Sequence, residues 1–204
     1  MRKKRVLGIL LIIIGLAISS TAIYMRWDAQ RKQEKMINDF QKTLEVIDKN
    51  GSEDAMNNNT KNEATPSSKP NDMNDGGAIG IMMIPKIDLR VAVGEGTDLD
   101  TLRYAIGHFK GTAMPGEKGN ACFAGHRSYT YSEYFNRLDE VNVGDEIIVK
   151  TKKGEFKYKV YEKKVVEPKE VSVLNNTSDS IITLVTCTPI RVATHRLIVK
   201  GKLE

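Results

Sequence analysis

Apolar positions fall along this chain in four successive patterns. Residues 6–25 carry no charge and are mostly apolar. That run of 20 residues matches the ~20 needed for a helix to cross the hydrocarbon core of a bilayer. Between 26 and 49 the apolar residues thin to Met36, Ile37, Phe40, Leu44 and Ile47, whose steps of three and four draw one stripe on a helix. From 50 to 78 they nearly vanish among Asn, Ser, Gly, Asp, Lys and Pro. Such a stretch cannot bury enough surface to offset its ordering entropy, and predicts a flexible linker reaching roughly 30 Å root-mean-square.

From 79 to 204 the pattern becomes short β-prone runs separated by turn signals. Strands are predicted over 79–84 and 89–93, divided by Pro85, and over 120–124, 146–150, 155–160, 181–187 and 196–199, with 161–166 extending the strand at 155–160 or beginning the next. Alternation is clearest where Phe156, Tyr158 and Val160 share one face and Lys157 and Lys159 the other. Lys153-Gly154 marks a hairpin between two of the runs. Short helical turns are expected at 99–105 and 132–138. So many short strands with so few helices predict an all-β domain, a closed or nearly closed barrel.

Charge adds topology to this picture. Arg2, Lys3, Lys4 and Arg5 precede the long apolar run, and Arg26, Arg31, Lys32 and Lys35 follow it. The positive-inside bias is therefore weak by count, but a long following domain can be exported largely regardless of its charge. The expected organisation is a cytoplasmic tail at 1–5, a transmembrane anchor at 6–25, an amphipathic stalk helix at 26–49, a linker at 50–78 and an extracellular compact domain at 79–204. The stalk is read as a continuation of the anchor, with packing against the domain as the sharper alternative. A cleaved signal peptide is the rival for the anchor, with Ser20-Thr21-Ala22 as small residues at a cut site. The net charge of +5 is scattered rather than gathered into a stripe, so no nucleic-acid partner is expected. Two cysteines, Cys122 and Cys187, make no dense disulfide framework.

The candidate chemistry centres on Thr183-Leu184-Val185-Thr186-Cys187-Thr188-Pro189. A buried strand there delivers a thiol to its carboxyl end, and Pro189, lacking an N–H, stops the pairing. A cysteine nucleophile needs an imidazole partner and a donor to the oxyanion. His108, His126 and His195 are the available imidazoles, and spacing alone does not choose among them. His126 follows Gly125 where a short apolar run leaves the core. His195 points away if its neighbour Arg196 faces the thiol, and His108 reads as a turn residue. A zinc site drawn from Cys122, His126, Cys187 and His195 lacks the usual close ligand pairs. Cys122 reads as a core residue, with a regulatory Cys122–Cys187 disulfide as the alternative. Arg127, Asp139, Glu140 and Asp145 read as surface charges.

Thr183 to Cys187, Gly125-His126-Arg127 and an arginine in the following strand together resemble the sortases, the cysteine transpeptidases of Gram-positive cell surfaces. Gly107-His108, Pro115-Gly116, Gly119-Asn120 and Gly144-Asp145 fall in matching order. The resemblance implies an eight-stranded sortase-type barrel with one or two short helices. It also implies a catalytic trio of His126, Cys187 and Arg196, with Thr186, Thr188 and Pro189 as substrate-binding neighbours and no metal or cofactor. Cys187 would cleave an LPXTG-like sorting signal after Thr and pass the acyl group to a cell-wall amine, through the minority thiolate–imidazolium form. Thr186-Cys187-Thr188-Pro189 with Thr194-His195-Arg196-Leu197 is similar to classes C and D. No Asp-Pro pair supplies a class C lid, so class D fits better than a class C-like pilin polymerase or a class A-like role. A non-catalytic surface-binding module and a hydrolytic cysteine protease are the other readings.

Overall fold

The computed structural model describes residues 2–53, 77–127 and 132–204. One long helix, α1 (Arg2–Glu53), precedes a β domain. Its strands are β1 (Gly80–Ile84), β2 (Leu89–Glu95), β3 (Ile106–His108), β4 (Gly119–Ala124), β5 (Glu146–Thr151), β6 (Gly154–Val166), β7 (Ser180–Thr188) and β8 (His195–Leu203). A short helix, α2 (Leu99–Tyr104), joins β2 to β3. The strands close into one barrel in the order β1-β2-β3-β4-β7-β8-β6-β5, with β5 pairing back onto β1. Two junctions are parallel, β2 with β3 and β4 with β7. The second of these sets up the site.

Alternation decides what fills the barrel. Phe123 of β4, Val149 of β5, Tyr158 of β6, Leu184 of β7 and Val199 of β8 all point inward and are essentially inaccessible. Phe135 and Leu138, from the long β4–β5 connection, plug the same core. Each such side chain contributes about 1.5–3 kcal/mol on leaving water, which makes this connection part of the core rather than a loose loop. The segment expected as a helix at 132–138 is instead a series of turns, followed by a 3-10 turn at Leu138–Glu140. Ser132 has φ of 56°, outside helical space, and its hydroxyl donates to the Arg103 carbonyl at 2.6 Å. Strand β3 was not foreseen. It is three residues long, and a Cβ on Gly107 would lie 2.1 Å from the Gly96 carbonyl oxygen.

The anchor and stalk segments fall within the single helix α1. Its first part is long and apolar enough to cross a membrane, and Leu10, Ile12, Leu16, Ile18 and Ile23 are exposed around it. A helix apolar on all sides needs an apolar surround. Farther along, Ile37 and Phe40 are buried against Ile81, Ala92 and Ala105 on the outer face of the barrel. The Gln33 amide donates to the Arg90 carbonyl at 3.3 Å and Lys32 Nζ donates to the Tyr104 hydroxyl at 3.2 Å. The helix runs on from the anchor segment as the stalk reading has it, and its amphipathic stripe docks on the domain, the sharper alternative. Residues 50–53 are helical rather than linker, and 54–76 lie outside the described residues.

Candidate active site

The site is assembled by strand register. In the parallel β4–β7 pair, Phe123 stands beside Leu184 and Ala124 beside Val185. The Gly125 N–H then donates to the Val185 carbonyl at 3.2 Å. Phe123 and Leu184 face the barrel interior, so Ala124 and Val185 face out. Two residues farther along β7 stands Cys187 on that same outer face, and two residues past the end of β4 the same alternation brings His126 to it. In the antiparallel β7–β8 pair Cys187 lies directly opposite Arg196, and opposed residues share a face with Cα atoms about 4.5–5.5 Å apart. His126, Cys187 and Arg196 therefore form a row across three adjacent strands.

Each member of the row is partly accessible, unlike the core beneath. Cys187 is a half-buried free thiol. His126 is half-buried, and burial holds its imidazole below the usual histidine range. The imidazole is consequently neutral at neutral pH and can take a proton from an approaching amine. Arg196 Nη1 donates to the carbonyls of Ala193 at 3.2 Å and His195 at 3.0 Å. The guanidinium thus lies folded against the 189–194 turn, at the edge of the row, with N–H groups left to meet an oxyanion. One row deeper on the same face lie the half-buried Ala124 and Val185, with the fully buried Ile198 beneath them.

Thr186 and Thr188 do not have their hydroxyls on this face. Thr186 is 2 % exposed, and its Oγ1 donates to the Gly125 carbonyl at 2.8 Å. That bond fixes β4 to β7 beneath the row. The Thr188 hydroxyl accepts from Arg127 Nη1 at 2.8 Å, so it too is engaged inside the protein rather than offered to a ligand. Pro189 is exposed at the start of the 189–194 turn, after a cis Thr188–Pro189 bond. His195 pairs with Thr188 on the opposite pleat from Arg196 and approaches Glu167 at 3.2 Å.

Arg127 is no surface charge. Its side chain is 6 % exposed and reaches Asp139 at 2.8 Å. Alternation alone carried the signal, since the residue after an outward His126 must point inward. His108 is buried at 2 % exposure, its ring bridging Glu95 at 2.9 Å and the Thr112–Ala113 turn. Cys122 is fully buried, and burial pushes its thiol up to about 11. It aligns with Thr183, four residues before Cys187, or about 13 Å along a strand. A disulfide spans less than ~7 Å between Cα atoms, so the Cys122–Cys187 bridge is excluded within one chain. Among the described residues, no three or more His, Cys, Asp or Glu side chains gather as a metal site.

A family model described as Sortase domain matches residues 82–204. Sortase D of Bacillus subtilis is 30% identical over 98% of this chain and 98% of its own length. Among solved structures, a Clostridium perfringens Sortase D5 transpeptidase superposes with a TM-score of 0.63 at 34% identity, covering 86% of this chain and 97% of that one. Streptococcus pneumoniae Sortase C gives a TM-score of 0.67 at 27% identity, over 83% and 96% of the two chains.

Proposed function

From the premise that this chain belongs to the sortase family, we propose that it is a membrane-anchored cysteine transpeptidase of the class D type. Cys187 is the nucleophile, His126 the acid and base, and Arg196 the donor to the oxyanion. The observation that supports this is the outer-face row: parallel β4–β7 pairing runs to Ala124 beside Val185, two residues short of His126 and Cys187, and β8 has Arg196 opposite Cys187.

The Cys187 thiolate attacks the carbonyl carbon of the Thr residue in an LPXTG-like signal of a surface protein. Negative charge moves to the carbonyl oxygen, where the Arg196 guanidinium stabilises it, a forked donor that lysine does not replace. The C–N bond breaks as the His126 imidazolium gives its proton to the departing amine, leaving a thioester on Cys187. A cell-wall amine then attacks the thioester carbon, neutral His126 takes its proton, and the C–S bond breaks to release the joined product. Because burial favours neutral imidazole at His126, the form that starts the cycle is a minority one, and the amine-activating form is abundant. The half-buried Ala124 and Val185 offer apolar surface that suits the apolar side chains of such a signal. Residues 1–5 face the cytoplasm, 6–25 span the membrane and the barrel works outside.

The test uses the full chain in detergent with an LPXTG-like peptide and a small amine. Transpeptidation yields the amine adduct, abolished in Cys187→Ala and retained in Cys122→Ala. Release of the free acid alone marks a hydrolytic protease, and no turnover marks a binding module.

A further inference from the structure

The backbone ladder between β4 and β7 stops just short of the row it positions. Its last bond among the described residues is Gly125 N–H to Val185 C=O at 3.2 Å, one residue before His126. Side chains continue the zipper. Below the row, Thr186 Oγ1 donates to the Gly125 carbonyl at 2.8 Å. Above it, Arg127 Nη1 donates to Thr188 Oγ1 at 2.8 Å. His126 and Cys187 are thus each flanked, on both sides along the chain, by residues bonded across to the other strand.

Arg127 extends this tie to a third segment. Its Nε donates to the Asn136 carbonyl at 3.3 Å, and its Nη2 lies 2.8 Å from an Asp139 oxygen. Phe135 N–H donates to the His126 carbonyl at 3.0 Å, so the same turn also holds the histidine backbone. The three acceptors lie in different directions around one planar guanidinium. A lysine ammonium, a point charge on a flexible stem, cannot hold all three in register. The side chain is also nearly sealed from water at 6 % exposure, where such bonds are stronger and more directional.

We propose that Arg127, acting through Thr188, is a positioning residue that fixes the separation of His126 from Cys187. It touches neither substrate nor the reacting atoms. This rests on the transpeptidase reading, in which proton transfer and thiol attack require those two groups in register. A misplacement of about 1 Å costs on the order of 100-fold in rate, so losing one end of this tie lowers kcat before it weakens peptide binding.

The experiment compares wild type with Thr188→Val, Arg127→Lys, Arg127→Met and the Arg127→Met/Thr188→Val double variant. Transfer kinetics are measured with an LPXTG-like peptide and a small amine, alongside the pH profile of Cys187 alkylation by iodoacetamide without substrate. Thr188→Val keeps shape and folds even where Arg127→Met does not. The expected result is a loss in kcat of about 10-fold or more with KM within about two-fold. Arg127→Lys fails to restore it, and the double variant is no worse than Arg127→Met, because one bond is removed twice. The alkylation profile loses the inflection set by His126. A rise in KM at constant kcat would make Thr188 a peptide contact and overturn the proposal. So would losses that multiply in the double variant, or an unchanged alkylation profile. If wild type turns over no peptide at all, the transpeptidase reading fails while the alkylation profile still decides the positioning role.

Discussion

Gly125→Ala probes how tightly the core grips the site. A Cβ built at Gly125 lies 2.6 Å from Phe135 Cδ2 and 2.9 Å from Cγ, against ordinary carbon contacts of about 3.5–4.0 Å. The ring must therefore retreat by roughly 1 Å, and Phe135 is fully buried. Overpacking of this kind costs about 1–3 kcal/mol. For a domain of this size each kcal/mol lowers Tm by roughly 3–5 °C, giving a predicted loss of roughly 3–15 °C. The displacement does not stay local, because Phe135 N–H is bonded to the His126 carbonyl at 3.0 Å. Turnover should fall by up to about 100-fold if the histidine moves with the ring. Differential scanning calorimetry and peptide turnover read the two effects together. Phe135→Leu in the same chain removes ring atoms from the clash, so the Gly125→Ala/Phe135→Leu protein should be more active than Gly125→Ala alone. Wild-type Tm and turnover in Gly125→Ala, or losses that simply add in the double variant, would refute the reasoning.

Thiol titration of the native protein should show one fast-reacting thiol, Cys187, with Cys122 reacting only on unfolding. Because burial raises the Cys122 thiol from its ordinary value near 9.0 to about 11, its contribution to stability is complete below pH ~9 and is lost as pH rises through about 11. Urea melts across that window should decline less in Cys122→Ala than in wild type. His126 carries the opposite sign: its folded-state value is depressed by burial, so its contribution is present above pH ~6.5 and lost as pH falls through the lower folded value. NMR titration should place its inflection below ~6.5, and His126→Gln should flatten the acid limb of the stability profile. Phe40→Ala should release α1 from the barrel, at up to about 3–5 kcal/mol of docking free energy. Hydrogen exchange should then lose protection at residues 33–44 while β4 and β7 stay protected; retained protection of that helix would contradict its docking.

The strands were readable wherever alternation was long. Phe156, Tyr158 and Val160 declared the inner face of β6, and Ile181 to Cys187 read as the strand it is. Strand β3 was not readable, because three residues around a glycine carry no period and its parallel partner β2 lies a helix away. The turn at 132–138 mimicked a helix because Tyr134, Phe135 and Leu138 have helical spacing, yet all three serve the barrel core. The pairing of His126 with Cys187 is a nonlocal fact of the β4–β7 junction, supplied at the sequence level only by resemblance to sortases. Arg127 was misread as a surface charge because its partners Asp139 and Thr188 are 12 and 61 residues away, out of reach of any local pattern. The stripe on α1 was visible from its spacing, but the apolar outer face of β1 and β2 that receives it was not.

The central claim is that Cys187 carries the acyl group. Intact-mass spectrometry of the full chain, quenched soon after mixing with an LPXTG-like peptide and no amine, tests it directly. The expected product is an adduct equal in mass to the peptide up to and including Thr, mapped to Cys187, absent in Cys187→Ala and depleted on adding the amine. An adduct mapped to Cys122, or one that persists in Cys187→Ala, would contradict it.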